Sequence, residues 1–193
     1  EGEILVVTAD HEGIEYEYNA EVLLNATGRL PNGDTMNLAA AGVGTLTIVD
    51  DDLVDLTNLQ RQILHGETDV GRRKVDSARD AVSRIAGATT VHTVDRRLDE
   101  SSVLPLVADH DLVIDGADNF PTRALVSRAC ALLAVPHVWA SVHRFDAQAS
   151  VWWAGEGPCY HCVFPQQPSP DQVPSCAVGG VLGGGDVDTA PGF

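Results

Sequence analysis

Leu46-Thr47-Ile48-Val49-Asp50-Asp51-Asp52-Leu53-Val54-Asp55-Leu56-Thr57-Asn58-Leu59-Gln60-Arg61-Gln62 opens on a short apolar run that breaks into carboxylates. Such a run reads as a buried parallel strand whose C-terminal tip carries acid groups, the edge at which open α/β sheets bind nucleotides. Cations follow: Arg61, then Lys74 within Asp69-Val70-Gly71-Arg72-Arg73-Lys74-Val75-Asp76. Acids to hold ribose hydroxyls or Mg²⁺, with an Arg and a Lys to neutralise phosphates, form the set that phosphoryl or nucleotidyl transfer from ATP requires.

Outward from this stretch the chain reads as a βα series. The strand over 45–49 leads to a short helix expected around 59–64 and a longer one over 72–85. In the latter, Val75, Ala78, Val82 and Ile85 recur at helical spacing, with Gly87 as a stop. A strand over 90–94 follows, then a helical piece near 102–107 that Pro105 is expected to interrupt. Asp111-Leu112-Val113-Ile114-Asp115 is a second buried strand ending in acid. Gly116-Ala117-Asp118-Asn119 turns the chain, and Pro121 falls in the first turn of a helix to Leu133, where a missing N–H costs nothing. Strands over 137–141 and 147–153 complete the sheet with an antiparallel tail. Upstream, 3–8, 14–18 and 22–26 read as three short strands, the first two a hairpin. From Pro158 onward the glycines and prolines predict loops. The fold class expected is α/β: a Rossmann-like, mostly parallel sheet with helices on both faces, a short N-terminal β segment and an irregular C-terminal tail.

The 193 residues suit one or at most two domains, and 44% hydrophobic content is ample for a core. A formal charge of −16 opposes backbone-led nucleic-acid binding, so no nucleic-acid partner is expected. No apolar run approaches the ~20 residues of a membrane span, and Glu1-Gly2-Glu3 is no signal-peptide start, so no membrane association and a cytoplasmic location are expected. Of the four cysteines, Cys130 sits in an apolar helical stripe and reads as core, while Cys159-Tyr160-His161-Cys162 suggests metal or redox chemistry. His65, His92, His110, His137 and His143 show no ligand spacing.

Asp-x-Asp, Thr-Asn-Leu-Gln-Arg-Gln and Asp-Val-Gly-Arg-x-Lys-Val-Asp, as they stand at 50–52, 57–62 and 69–76, resemble the core of the ThiF/MoeB/HesA family, bacterial relatives of ubiquitin-activating E1 enzymes. The resemblance covers about residues 38–183. It implies an adenylyltransferase that uses ATP and Mg²⁺ to activate the C-terminal glycine of a ubiquitin-like sulfur carrier protein, of the molybdopterin-synthase or thiamin-pathway type, and that works as a homodimer. Carried over residue by residue, it places Asp50 on the ribose, Asp52, Thr57 and Asn58 beside the nucleotide, and Arg61 and Lys74 on the phosphates. Asp118 takes Mg²⁺, with Asn119 alongside. Arg73 replaces the family's usual proline and adds a cation nearby. Cys159 and Cys162 match the first half of a Cys₄ zinc site whose second half this sequence lacks. Cys176, in Ser175-Cys176-Ala177, resembles the crossover-loop cysteine that in some members links covalently to the carrier. The competing readings are plain ones: a solvated acidic turn at 50–52, surface-helix cations at 61 and 74, an N-cap at 118–119 and an exposed loop thiol at 176.

Two departures qualify this reading. The family's Gly-x-Gly-Gly-x-Gly, which lets backbone N–H groups approach phosphate, is replaced by Ala26-Thr27-Gly28-Arg29-Leu30-Pro31, in which only Gly28 falls on a glycine of the pattern. The arm that donates an arginine across the family's dimer is also not in this sequence. Val22 to Asp34 instead resembles the Ala-Thr-Gly-Arg-x-Pro-Asn segment of flavin-dependent disulfide reductases of the dihydrolipoamide dehydrogenase and mycothione reductase group. The chain divides as 1–43, a reductase-like β segment that could supply the first strand; 44–157, the nucleotide-binding core; and 158–193, a truncated cysteine-containing tail. Weak or no activity is expected. The alternatives are a noncatalytic fusion fragment and, on the first 43 residues alone, a flavin disulfide reductase.

Overall fold

The computed structural model describes residues 21–25, 33–40, 42–117, 119–143 and 146–166. Its frame is one six-stranded sheet in the order β3-β2-β1-β4-β5-β6, built from β1 (Glu21–Asn25), β2 (Thr45–Val49), β3 (Thr90–Val94), β4 (Leu112–Asp115), β5 (His137–His143) and β6 (Asp146–Trp152). All neighbours are parallel except β5 and β6, which pair antiparallel. The expected first strand is therefore present and central. Asn25 stands opposite Val49 on one side and Asp115 on the other. The expected strands over 3–8 and 14–18 lie outside the described residues.

Alternation along the strands sends side chains to two cores. Leu46 and Ile48 pack with Ala39 of α1 (Gly33–Ala40) and with Val75, Ala78 and Val82 of α2 (Lys74–Ile85). Val49 and Val113 face the other way, onto Val103 and Val107 of α3 (Val103–Ala108) and Val126, Ala129 and Cys130 of α4 (Phe120–Leu133). Helices thus cover both faces of the sheet. Thr47, on the second face, is satisfied without breaking the core. Nδ1 of His110 donates to the Leu106 carbonyl at 2.7 Å, which leaves Nε2 to accept the Thr47 hydroxyl at 2.8 Å. No helix among the described residues is long and apolar enough to cross a membrane.

Three details differ from the sequence expectation. A 3₁₀ turn at Leu56–Asn58 replaces the helix expected around 59–64. Asp55 takes the Thr57 amide and hydroxyl at 2.8 and 2.6 Å, and Asn58 reaches back to the Asp55 amide at 3.2 Å, so the local bonds start and end the turn early. Helix α3 runs through Pro105, the third residue of the helix, where no intrahelical donor is needed. The tail expected to be irregular holds a short helix, α5 (Tyr160–Val163), because Tyr160 is buried against Trp139 and Trp152, with ring centroids 5.9 Å from each. Residues 167–193 lie outside the described set.

Ala134 ends α4 at φ 55°, ψ 29°, the left-handed conformation that an L side chain adopts at a cost of about 1–2 kcal/mol. Glycine removes that cost and gives back about 0.5–1 kcal/mol in unfolded-state entropy. Ala134→Gly is expected to stabilise the chain by about 0.5–1 kcal/mol in a denaturant titration, and a destabilised variant would contradict the cap assignment.

Candidate active site

From β1 the chain passes to β2 and β3 on one side of the sheet, then crosses to β4 on the other. The strand order reverses beside β1, and the carboxyl ends of β2 and β4 flank that point, the position at which open α/β sheets bind ligands. Both tips are acidic. Asp50 follows β2 and Asp115 ends β4, with side-chain exposures of 2% and 0%.

The chain has to spend local structure to keep a cation beside the first tip. Val54 donates to the Arg72 carbonyl, and Gly71 donates to the Val54 carbonyl, each at 2.8 Å, with Leu53 and Arg73 forming an antiparallel bridge. Gly71 makes the turn at φ +86°, a conformation that glycine adopts without strain. The next hydrogen bond, from the Lys74 amide to the Asp52 carbonyl at 3.1 Å, starts α2 against the acid loop. Lys74 Nζ then lies 2.7 Å from Asp52 Oδ2 and 3.9 Å from Asp50 Oδ2, with its own side chain only 10% exposed.

Asp50 Oδ1 also accepts the Asp52 amide at 2.8 Å. Burial nevertheless dominates and pushes the Asp50 carboxyl up to about 6, against the opposing pull of Lys74. Behind the pair, Thr35, Asp50, Gln62, His65, Lys74 and Ala78 line a small pocket. His65 Nδ1 bonds Ser77 Oγ at 2.8 Å, and burial, with Lys74 nearby, lowers its pKa to about 4, so the ring is neutral at pH 7.

Of the residues expected in the site, Asp50, Asp52 and Lys74 are brought together. Arg61 turns back on its own loop, where Nη1 donates to the Thr57 carbonyl at 2.8 Å. The oxygens of Thr57 and Asn58 are used in the Asp55 capping box. Asn119 caps α4, accepting the Thr122 amide at 3.0 Å. Arg73 does not add a cation to the site; it pairs with Asp95 at 3.0 Å. Gly28, Asp118 and Cys176 lie outside the described residues.

Sequence reasoning assigned no role to Asp115, Gln62, His65, Arg123 or His137. His137 Nε2 lies 3.5 Å from Asp115 Oδ2, both groups fully buried. The acid-ended run 111–115 was the available signal for Asp115; nothing local marks His137, which reaches it from β5.

Carboxylate oxygens of Asp50, Asp51 and Asp52 lie within 4.8 Å of one another, hard donors of the kind that Mg²⁺ takes, but Asp52 already pairs with Lys74 at 2.7 Å and Asp51 with Arg97 at 3.3 Å. Cys159 and Cys162 present their sulfurs 3.4 Å apart, a spacing that suits two corners of a thiolate site. His161 does not join them, since its Nε2 faces the Ala124 carbonyl at 3.3 Å. Cys130 is a core thiol, its pKa pushed up to about 12 by burial.

The profile of the ThiF family matches residues 6–186. The chain is 48% identical over 169 residues to the "Probable adenylyltransferase/sulfurtransferase MoeZ" of Mycobacterium tuberculosis, covering 86% of this chain and 43% of that protein. It is 42% identical to the SAMP-activating enzyme E1 of Haloferax volcanii, over 86% of this chain and 61% of that one. With the mouse adenylyltransferase and sulfurtransferase MOCS3 the identity is 47%, over 85% and 36%. The chain thus spans less than two thirds of the length of these relatives. Among solved structures, E. coli MccB with ATP superposes with a TM-score of 0.70 at 26% identity, over 76% of this chain and 45% of MccB. The sequence match extends over nearly the whole chain, and the strand-tip acids with their clasped lysine sit on the shared fold: the chain belongs to the ThiF family.

Proposed function

We propose that the chain is the adenylylating core of an enzyme that activates the C-terminal glycine of a ubiquitin-like sulfur carrier with ATP. The observation that carries this reading is the juxtaposition of Asp50, Asp52 and Lys74 at the strand reversal of a ThiF-family sheet. The names of MoeZ, MOCS3 and the SAMP-activating enzyme support it. In the reaction, a carboxylate oxygen of the carrier attacks the α-phosphorus, an acyl-adenylate forms and pyrophosphate leaves. Asp50 holds the ribose hydroxyls, with Asp52, Thr57, Asn58 and Asn119 around the nucleotide. Lys74 and Arg61 neutralise phosphate charge, for which Lys74 exchanges Asp52 for the nucleotide and Arg61 leaves the Thr57 carbonyl. Asp118 is the proposed ligand of Mg²⁺, which when bound offsets charge on the phosphates. Cys176 is the proposed point of covalent carrier attachment, and Cys159 and Cys162 would supply two of the four ligands of a structural zinc.

The missing glycine pattern after β1 supports a second reading, a noncatalytic fusion fragment with a seam near residue 43, and it predicts weak turnover in either case. The two readings separate in carrier-dependent ATP–pyrophosphate exchange. Ala26→Gly, Arg29→Gly and Pro31→Gly together restore the family's glycines, and exchange is expected to rise about tenfold or more as phosphate gains backbone donors. No exchange before or after that restoration would leave only the noncatalytic reading.

Two further outcomes follow from the site. Lys74→Met removes a charge-assisted contact and is expected to weaken ATP binding about 10- to 100-fold in calorimetry, whereas unchanged affinity would remove Lys74 from the phosphate site. Asp50 becomes neutral as pH falls through about 6 and loses its strength as a ribose acceptor, so ATP affinity should drop below that pH. Stability has the opposite sign. A carboxyl raised in the folded state binds its proton more tightly there than when unfolded, so its contribution improves as pH falls from 7 toward 4. Asp50→Asn should flatten both profiles, and a profile unchanged by the substitution would show that another group titrates.

A further inference from the structure

The turn after β4 is held on both sides of residue 118. Ala117 is 1% exposed, and its amide donates to Asp115 Oδ1 at 2.8 Å. Its carbonyl accepts from Arg123 Nη2 at 2.6 Å, while Asn119 is fixed as the N-cap of α4. The donor to that carbonyl is an unusual choice. Arg123 is 5% exposed, its guanidinium carbon lies 4.9 Å from the ring centroid of Trp139 and 5.3 Å from that of Phe120, and its Nε is buried without a hydrogen-bond partner among the described residues.

Removing a guanidinium from water costs several kcal/mol in general, and a buried cation is ordinarily repaid by a carboxylate at ion-pair distance. Among the described residues the compensation comes from one carbonyl and two ring faces. An apolar side chain of similar volume would fill the same space at less cost. What it could not do is hold the Ala117 carbonyl, or tie that turn to the aromatic cluster of β5, β6 and α5. The planar guanidinium does both at once, because it can donate in its plane while rings cover its faces.

We propose that Arg123 is a positioning residue: seated on Trp139 and Phe120, it fixes the Ala117 carbonyl and so holds the turn between β4 and α4 into which Asp118, the proposed Mg²⁺ ligand, falls by sequence. This rests on the adenylyltransferase reading above. A role confined to stability would act on the whole sheet; a positioning role acts on the turn and on the metal requirement.

The test compares Arg123→Met and Arg123→Lys with the unsubstituted chain by amide hydrogen exchange and by calorimetric ATP titration at graded Mg²⁺. With Arg123→Met, the amides of Ala117 and Asn119 should exchange about tenfold faster while those of β2 and β4 keep their protection. The Mg²⁺ needed for half-maximal ATP binding should rise about tenfold, with affinity at saturating Mg²⁺ nearly unchanged. Arg123→Lys keeps a donor without the planar fork and should recover part of both. Unchanged exchange at 117–119, an unchanged Mg²⁺ requirement, or loss of protection spread evenly over the sheet would each overturn the proposal. Absence of ATP binding by the unsubstituted chain would sink the adenylyltransferase reading and Asp118 positioning with it, while exchange at 117–119 would still report whether Arg123 holds the turn.

Discussion

Parallel pairing of Glu21–Asn25 between β2 and β4 is the constraint on which the other features depend. A strand in that position must be covered on both faces, which is why α1 and α2 lie on one side and α3 and α4 on the other. It also sets the register. With Asn25 opposite both Val49 and Asp115, the two acid-tipped strands end at the same height on either side of the reversal. A shift of one residue would exchange the faces of Leu46 and Ile48 with those of Thr47 and Val49, and bury the wrong set.

Electrostatics at the first tip follows from that frame. Asp50 is buried deeply enough that its carboxyl rises to about 6, so its charge at neutral pH is held at a cost in stability. Lys74 reduces that cost, and it is held to the acid loop by backbone bonds from residues 52–54 to 71–74. The Lys74 ammonium is engaged by Asp52 at 2.7 Å. Under the proposed adenylylation, phosphate would replace Asp52 at a fixed ammonium, which avoids leaving a buried charge unpaired.

Much of this frame was legible in the sequence, for local reasons. Strands 45–49 and 90–94 are β-branched runs bounded by turn residues, and their limits match the structure. The helix ending at Leu133 announced itself by Asn119 and Pro121. The acid tip at Asp50 and the cation at Lys74 could be paired on chemistry alone. Other features depend on residues distant in sequence, or on competition among local bonds. Nothing around Thr122-Arg123-Ala124 indicates that Trp139 and Phe120 will cover a buried guanidinium. The turn at Leu56–Asn58 arises because the Asp55 side chain outcompetes helix propagation, which an apolar period does not register. Arg73 read as a further cation near the site, and its partner is Asp95, just past β3.

The most direct measurement of the central claim is calorimetric titration of the purified chain with ATP and Mg²⁺, beside Asp118→Ala. Saturable binding that the substitution abolishes is the result the account predicts, since the acid and basic groups then act as one nucleotide site. No heat from either protein would contradict it, and would leave the strand-tip cluster as a record of family ancestry without a working site.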